Sequence, residues 1–329
     1  MKIFITGATG YIGSKLALRL ADAGHTVHAL CRSKSNALSI EHKNIKIFEG
    51  DILNKKSIED AMKSCEQVYH LATYTSVWAK NPKTYFDINI QGAINVLNTA
   101  IVSGVRKIVY TSTAGTYGPS TGTLTTEKSI RTIDFFTEYE SSKFIAEEKV
   151  QHYVRKGLNV VIVNPSRIYG PGLLNESNSV TKLIKLYAEG KWHLIPGNGE
   201  TIGNYVFIDD VINGHILAMS KGLAGEKYIL GGENVSYIEF FDTLSKVSGK
   251  KYKLYKTPLF LMLAFARIQE LLAGSFNRPP LITPKWVKRY LYDWALSSQK
   301  AESELGYEIT PLEKGMTQTI KWLNDFRTS

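Results

Sequence analysis

Tyr139 and Lys143 stand four residues apart in EYESSKFIAEEKV (138–150), and on a helix such positions stack on one face. A phenol beside an ammonium protonates an oxygen as negative charge develops on it, and in the reverse direction the pair serves as the base. The spacing does not single this pair out, because Tyr11/Lys15, Tyr187/Lys191 and Tyr252/Lys256 repeat it. A surface contact with no chemistry has the same spacing. Context must choose among the four.

A second set of residues binds rather than reacts. ITGATGYIGSKL sets Gly7, Gly10 and Gly13 between an N-terminal strand and the helix after it. Gly7 permits the tight turn, Gly10 lets backbone approach a pyrophosphate, and Gly13 allows close helix–strand packing. The helix N-terminus supplies N–H groups to the phosphates. Thr9, Tyr11 and Ile12 lie in the same turn and count with it. An NAD site usually carries an acid at the end of the second strand, ~20 residues past the glycines. This chain has LCRSKSN there and no acid between Asp22 and Glu41. Arg32 and Lys34 suit a 2′-phosphate, the arginine bidentately, although two solvated loop cations would read the same. NADP(H) is the expected cofactor, with NAD(H) the alternative.

Both sets need a scaffold. Short β-rich runs at 2–6, 26–31, 45–50, 67–72, 107–112 and 159–164 alternate with amphipathic helices, such as 13–24 closed by Gly24. That alternation predicts an α/β fold, a Rossmann-type doubly wound parallel sheet covered on both faces. PSRIYGPGLLNES breaks the regularity and VTKLIKLYAEG reads as a helix. NYVFIDDVINGHILAM (204–219) then restores a strand and a helix, with Asp209 and Asp210 as N-caps. The dinucleotide-binding domain is assigned to 1–167, continued by about 201–236. Residues 168–200 and 237–329, with a short strand KYKLY (251–255), form a smaller substrate-binding cap.

Cys31 and Cys65 are the only cysteines, too few for a disulfide framework or a Cys-rich metal site. A reducing cytoplasm is the expected compartment, since MKIFITGATG opens on a strand and not on a signal peptide. PLFLMLAFA (258–266) stops at Arg267, about half of the ~20 residues a membrane span requires.

Taken in order, TGATGYIG, EGDI, HLAT, NIQGAINVL, YTSTAGTYG, YESSK, NPSRIYGPG, YVFIDDV and LGYEITPLEKGMTQTIKWL cover nearly the whole chain. Together they resemble the extended short-chain dehydrogenase/reductase family, in its dihydroflavonol-reductase-like and 3β-hydroxysteroid-dehydrogenase-like branch. The resemblance implies a catalytic Ser/Thr at the end of the fifth strand, a Tyr and a Lys. Thr113, Tyr139 and Lys143 match these, with Ser112 standing in for Thr113 if the register moves by one. Tyr11/Lys15 falls inside the phosphate turn, and the other two pairs have no Ser/Thr strand end before them.

The resemblance also implies Asp51 and Ile52 at the adenine and Leu71, Ala72 and Thr73 along the cofactor cleft. Asn89 is expected near the nicotinamide end, and Pro165, Ser166 and Arg167 running past it. Each has a structural reading beside it: Asp51 as a helix cap, Asn89 as an internal hydrogen bond, Arg167 as an ion pair. His70 reads as packing and His193 as a loop residue with no visible partner.

The chemistry suits these residue types. Hydride delivered to a carbonyl carbon leaves an alkoxide that must be protonated as it forms. A tyrosine with a pKa of ~10 is a poor base for the reverse reaction. Lys143 and the oxidised nicotinamide, both positive, favour its phenolate. Lys143 also serves the nicotinamide ribose, Thr113 the substrate oxygen, and no metal is required.

The leading reading is a carbonyl reductase acting on an apolar ketone or aldehyde. A sugar-nucleotide epimerase or dehydratase with retained NAD is the alternative. Against it, Gly203 and Asn204 occupy the place where such enzymes often carry an Arg-Asp pair. A dinucleotide-sensing module without catalysis is the third reading, opposed by the intact Thr113, Tyr139 and Lys143. TYTSVWAK (73–80) and NESNSVTK (175–182) are expected to line the pocket. The resemblance allows a homodimer.

The net charge of +10 is not spread over the chain. Residues 243–300 hold eleven Lys/Arg against two Asp/Glu, which leaves the remainder near neutral and argues against nucleic acid. This basic, apolar segment suits a packed cap with solvated lysines, an anionic substrate handle or acyl carrier, or a peripheral membrane contact.

Overall fold

A computed structural model describes residues 1–276 and 279–328; Asn277 and Arg278 of the basic segment lie outside the described residues. The strands in chain order are β1 (Lys2–Thr6), β2 (Thr26–Cys31), β3 (Ile45–Glu49), β4 (Gln67–His70), β5 (Lys107–Thr111), β6 (Val160–Pro165), β7 (Arg167–Tyr169), β8 (Leu194–Pro196), β9 (Ile202–Phe207), β10 (Lys227–Leu230), β11 (Glu233–Ser236) and β12 (Tyr255–Thr257). Seven of them form one sheet in the order β10-β6-β5-β4-β1-β2-β3. Every pairing in it is parallel.

The strand sequences explain why both faces are covered. Successive residues point to opposite faces, and here both sets are apolar. Phe4, Val68, Ile108 and Ile162 pack on one side, with Ile58, Val96, Leu97 and Val150 from the helices Lys55–Met62, Gly92–Val102 and Glu138–Arg155. Ile3, Ile5, Tyr69, Val109 and Val161 pack on the other, with Leu16, Leu20 and Ile212 from the helices Tyr11–Asp22 and Ile208–Lys221. Each such aliphatic side chain, fully buried, contributes roughly 1.5–3 kcal/mol against exposure.

The order reverses between β1 and β4, the place where doubly wound sheets bind ligands outside their carboxyl ends. In register there stand Thr6, His70 and Tyr110.

Several expectations need correction. The first helix starts at Tyr11, two residues earlier than periodicity suggested, and Gly24, at φ +84°, follows its C-cap Ala23. The strand in NYVFIDDV does not extend the large sheet; β9 lies between β11 and β7 in a separate three-stranded sheet. The seventh large-sheet strand is instead KYIL, β10, a short run with no alternation to announce it. Asp209 and Asp210 are in the first turn of Ile208–Lys221, whose N-cap is Phe207. Asp209 faces Lys15 at 3.3 Å, and Asp210 accepts from Thr310 N and Oγ1 at 2.8 and 2.7 Å. The strand expected over 251–255 begins only at Tyr255, where it pairs with β8.

Candidate active site

At the end of β1 the chain turns at Gly7, φ +72°. A Cβ there would lie 2.7 Å from Ala72 N, and one at Gly13 only 2.1 Å from the Gly7 carbonyl oxygen. Both positions therefore exclude a side chain, and the first helix seats directly on the turn. Its N-cap, Gly10, brings no side chain to bond the exposed N–H groups of the first turn, which leaves them for an anion. Thr9 and Ile12 are half-buried in this turn. The Tyr11 phenol is spent elsewhere, donating to the Gly170 carbonyl at 2.9 Å. Arg32 and Lys34 follow β2 and are exposed, with no ion pair among the described residues.

The Glu138–Arg155 helix starts where Thr137 accepts from Glu140 N at 3.2 Å. It carries Tyr139 and Lys143 toward the carboxyl end of β5. Lys143 is 2% exposed, and burial pushes its ammonium down to about 7, with Glu147 working the other way. Its Nζ donates to Tyr110 Oη and to the Thr111 carbonyl, both at 2.8 Å. A buried ammonium must fill its donors, and the end of β5 offers both acceptors. Glu147, one turn along, accepts from Thr116 Oγ1, Asn164 Nδ2 and Lys227 Nζ at 3.1, 2.7 and 2.5 Å.

Burial pushes the Tyr139 phenol up to about 12, while the Thr113 hydroxyl, by hydrogen bonding, and the Arg289 guanidinium, by charge, pull it back. The Lys143 ammonium, one turn along the same helix, is held by Tyr110 and Thr111. Thr113, the N-cap of the short turn Ala114–Thr116, takes Gly115 N at 3.2 Å. Ser112 is buried and its hydroxyl has no partner among the described residues, so Thr113 is the hydroxyl beside the phenol.

The other three Tyr/Lys pairs serve the framework. Lys15 pairs with Asp209, Tyr187 Oη donates to the Lys250 carbonyl at 3.0 Å, and the Tyr252 ring packs edge-on against Tyr187.

Residues 3–231 match the NAD dependent epimerase/dehydratase family. The chain belongs to that family. Sterol demethylase protein B of Methylococcus capsulatus is 28% identical over 329 residues, 99% of each chain. Anthocyanidin reductase of Arabidopsis thaliana is 29% identical over 269 residues, 74% of this chain and 79% of that one. The crystal structure of gox2253 is similar at 31% identity and a TM-score of 0.81, covering 98% of both chains. As a member of the epimerase/dehydratase family the chain is an NAD(P)-dependent enzyme of the extended short-chain dehydrogenase/reductase type.

The residues of this epimerase/dehydratase chain fit such a cofactor. Besides the open helix N-terminus, the buried Ser166 hydroxyl after β6 has no partner among the described residues. Pro165 ends β6, and Leu71 is buried beside Gly7. Asp51 caps its own turn, accepting from Leu53 N at 2.8 Å, and Ile52 packs against Gly92.

Asn89 is held by four intramolecular hydrogen bonds. Its oxygen accepts from Thr73 Oγ1 and Tyr74 N at 2.8 and 2.7 Å, and its nitrogen donates to Ser142 Oγ and the Tyr74 carbonyl at 2.9 and 3.3 Å. With all four bonds filled, it ties the 73–74 loop to the catalytic helix. That loop meets the other expected pocket loop where Thr75 and Ser177 hydroxyls are 2.9 Å apart. Arg167 makes no ion pair among the described residues; it donates to Tyr205 and Tyr237 hydroxyls at 3.3 and 3.1 Å.

His70 pairs with Thr6 Oγ1 at 2.6 Å, and burial pushes it down to about 3, so it is neutral. His193 does find partners, the Gly190 and Lys253 carbonyls.

Sequence reasoning missed the buried ion cluster whose charges act on Tyr139. Glu140, fully buried, sits 3.0 Å from Arg131 Nη2 and 3.1 Å from Arg289 Nε. Arg289 lies over the rings of Trp286 and Trp294. Only the interleaving of cations and aromatics in 285–294 hinted at it.

Proposed function

We propose that the chain is an NADP(H)-dependent carbonyl reductase acting on an apolar ketone or aldehyde, an alcohol dehydrogenase in reverse. The observation that carries this reading is the Tyr139 phenol in hydrogen-bonding reach of Thr113, at the carboxyl edge of the parallel sheet. When bound, the cofactor supplies the hydride. Tyr139 gives its proton to the substrate oxygen, and Thr113 orients that oxygen by hydrogen bonding. Thr113 and Arg289 stabilise the phenolate that remains. Lys143 is pinned by Tyr110 and Thr111, with one N–H left for the cofactor ribose.

In this reading 1–167 with about 201–236 binds the dinucleotide, and 168–200 with 237–329 encloses the substrate. A nucleotide-sugar substrate is disfavoured. A side chain at Gly203 would meet Arg167 Nη1 at 2.4 Å, and the Asn204 amide is taken by Gly232 and Asn234. Steady-state assay of the purified chain with NADPH and a panel of apolar aldehydes and ketones tests the assignment. Retained NAD⁺ with no net cofactor turnover would replace it with the epimerase.

Arg32 and Lys34, exposed and unpaired where β2 ends, favour a 2′-phosphate. Arg32→Ala is expected to cut the NADPH preference at least several-fold, since a charge-assisted contact contributes roughly 1.5–3 kcal/mol. Equal kcat/KM for NADPH and NADH in the unmodified enzyme would rule the preference out.

Arg289→Met should move the pH profile of alcohol oxidation upward, because a cation that lowers the Tyr139 pKa is lost. A profile that stays in place would show that Arg289 only packs.

A further inference from the structure

The helix Leu259–Phe276 leaves several of its large apolar side chains exposed. Ala266 and Ala273 are buried, whereas Phe260 is 68% exposed, Leu261 50%, Phe265 48%, Ile268 56% and Leu272 47%. Leu261, Phe265, Ile268 and Leu272 recur at helical spacing and form one apolar stripe. Leu281 and Leu291, in the segment that follows, are 79% and 53% exposed. A contiguous apolar surface of this kind marks a contact site and not ordinary scatter.

Exposed cations flank the stripe along the chain. Lys251, Lys253 and Lys256 precede the helix, Arg267 is within it and Lys288 follows it. Among the described residues no carboxylate pairs with any of these five. Lys285 is held by Glu138. A second copy of the chain would set the same cations against these, and like charge opposes that contact. An anionic lipid surface complements both the stripe and its border. No described helix is long and apolar enough to cross a membrane, so this one would lie along the interface.

We propose that the helix Leu259–Phe276 and its flanking cations seat the enzyme on an anionic bilayer surface. A small cleft open to solvent gives the seat a purpose. Glu270 of this helix, Thr283 and Lys285 line it with Trp78 and with Thr137 and Glu138, where the helix that carries Tyr139 begins. An apolar substrate leaving the bilayer there would emerge beside the start of the helix that carries Tyr139. The membrane seat itself does not depend on the reductase reading; only this delivery role does.

Co-sedimentation of the full chain with phosphatidylcholine vesicles, with and without phosphatidylglycerol, tests the proposal. Binding is expected to be roughly tenfold or more stronger with phosphatidylglycerol and to fall at about 0.5 M salt, where charges are screened. The Phe265→Ser/Ile268→Ser/Leu272→Ser variant should lose binding, as should Lys256→Glu/Arg267→Glu. Both should keep the wild-type rate on a small water-soluble aldehyde. If the serine variant fails to fold, the charge-reversal variant, which leaves the packing alone, decides. Absence of binding to phosphatidylglycerol vesicles overturns the proposal, as does binding that neither variant changes. A dimer in sedimentation equilibrium that the serine variant splits into monomers would assign the stripe to a second copy. A chain that binds vesicles but reduces no carbonyl compound would sink the reductase reading and leave the seat standing.

Discussion

Tyr139→Phe is expected to lower kcat for carbonyl reduction by about 10²–10⁴-fold while leaving the NADPH dissociation constant nearly unchanged. The ring keeps its place on the Glu138–Arg155 helix and loses only the proton donor. Its neighbours stay put: Thr113 still caps its turn through Gly115 N, and Lys143 remains tied to Tyr110 and Thr111. A purely structural role would give a different pattern, with a lower melting temperature and weaker cofactor binding alongside the lost rate. Near-wild-type kcat in the phenylalanine variant would remove Tyr139 from the chemistry. Tyr11→Phe is the control, since it deletes only the hydrogen bond to the Gly170 carbonyl and should spare kcat.

What was legible in the sequence followed the strength of local signals. β1 and β2 are apolar runs bounded by turn residues, and their limits match expectation; all six expected runs form strands of the parallel sheet. Gly7 and Gly13 were legible because no other residue fits where a Cβ would meet backbone. KYIL escaped notice because four residues carry no period, and only pairing with β6 makes them a strand. The seating of Lys143 was illegible for another reason. Whether an ammonium faces the phenol or the strand behind it depends on Tyr110 and Thr111, more than thirty residues away in sequence. Arg289 is further still, 149 positions from Glu140. Its role exists only because the cap folds back onto the start of the catalytic helix. The outward stripe of 259–276 was read as apolar, yet composition cannot say which face of an apolar helix is covered.

Lys143→Met should separate stability from function. Burial holds the folded-state pKa of Lys143 at about 7, against its ordinary value of 10.5. Between those limits the unfolded chain binds a proton that the folded chain does not. Stability from this group therefore rises with pH across the window, and its cost is fully present below pH 7. Methionine removes that cost, so the variant's melting temperature should exceed the wild type's at or below neutral pH. The gain should shrink toward pH 10, and the acceptors left at Tyr110 and Thr111 offset part of it. Cofactor binding should respond in the opposite sense. If the ammonium donates to the ribose, binding favours its protonated form. Wild-type affinity then falls as pH rises above about 7, by at most tenfold per unit. In the methionine variant that slope should vanish, with affinity lower by roughly 10–100-fold, the equivalent of one charge-assisted hydrogen bond. Titration of NADPH across pH in both proteins reads this directly. The same slope in both would show that another group carries it, and that Lys143 does not reach the cofactor.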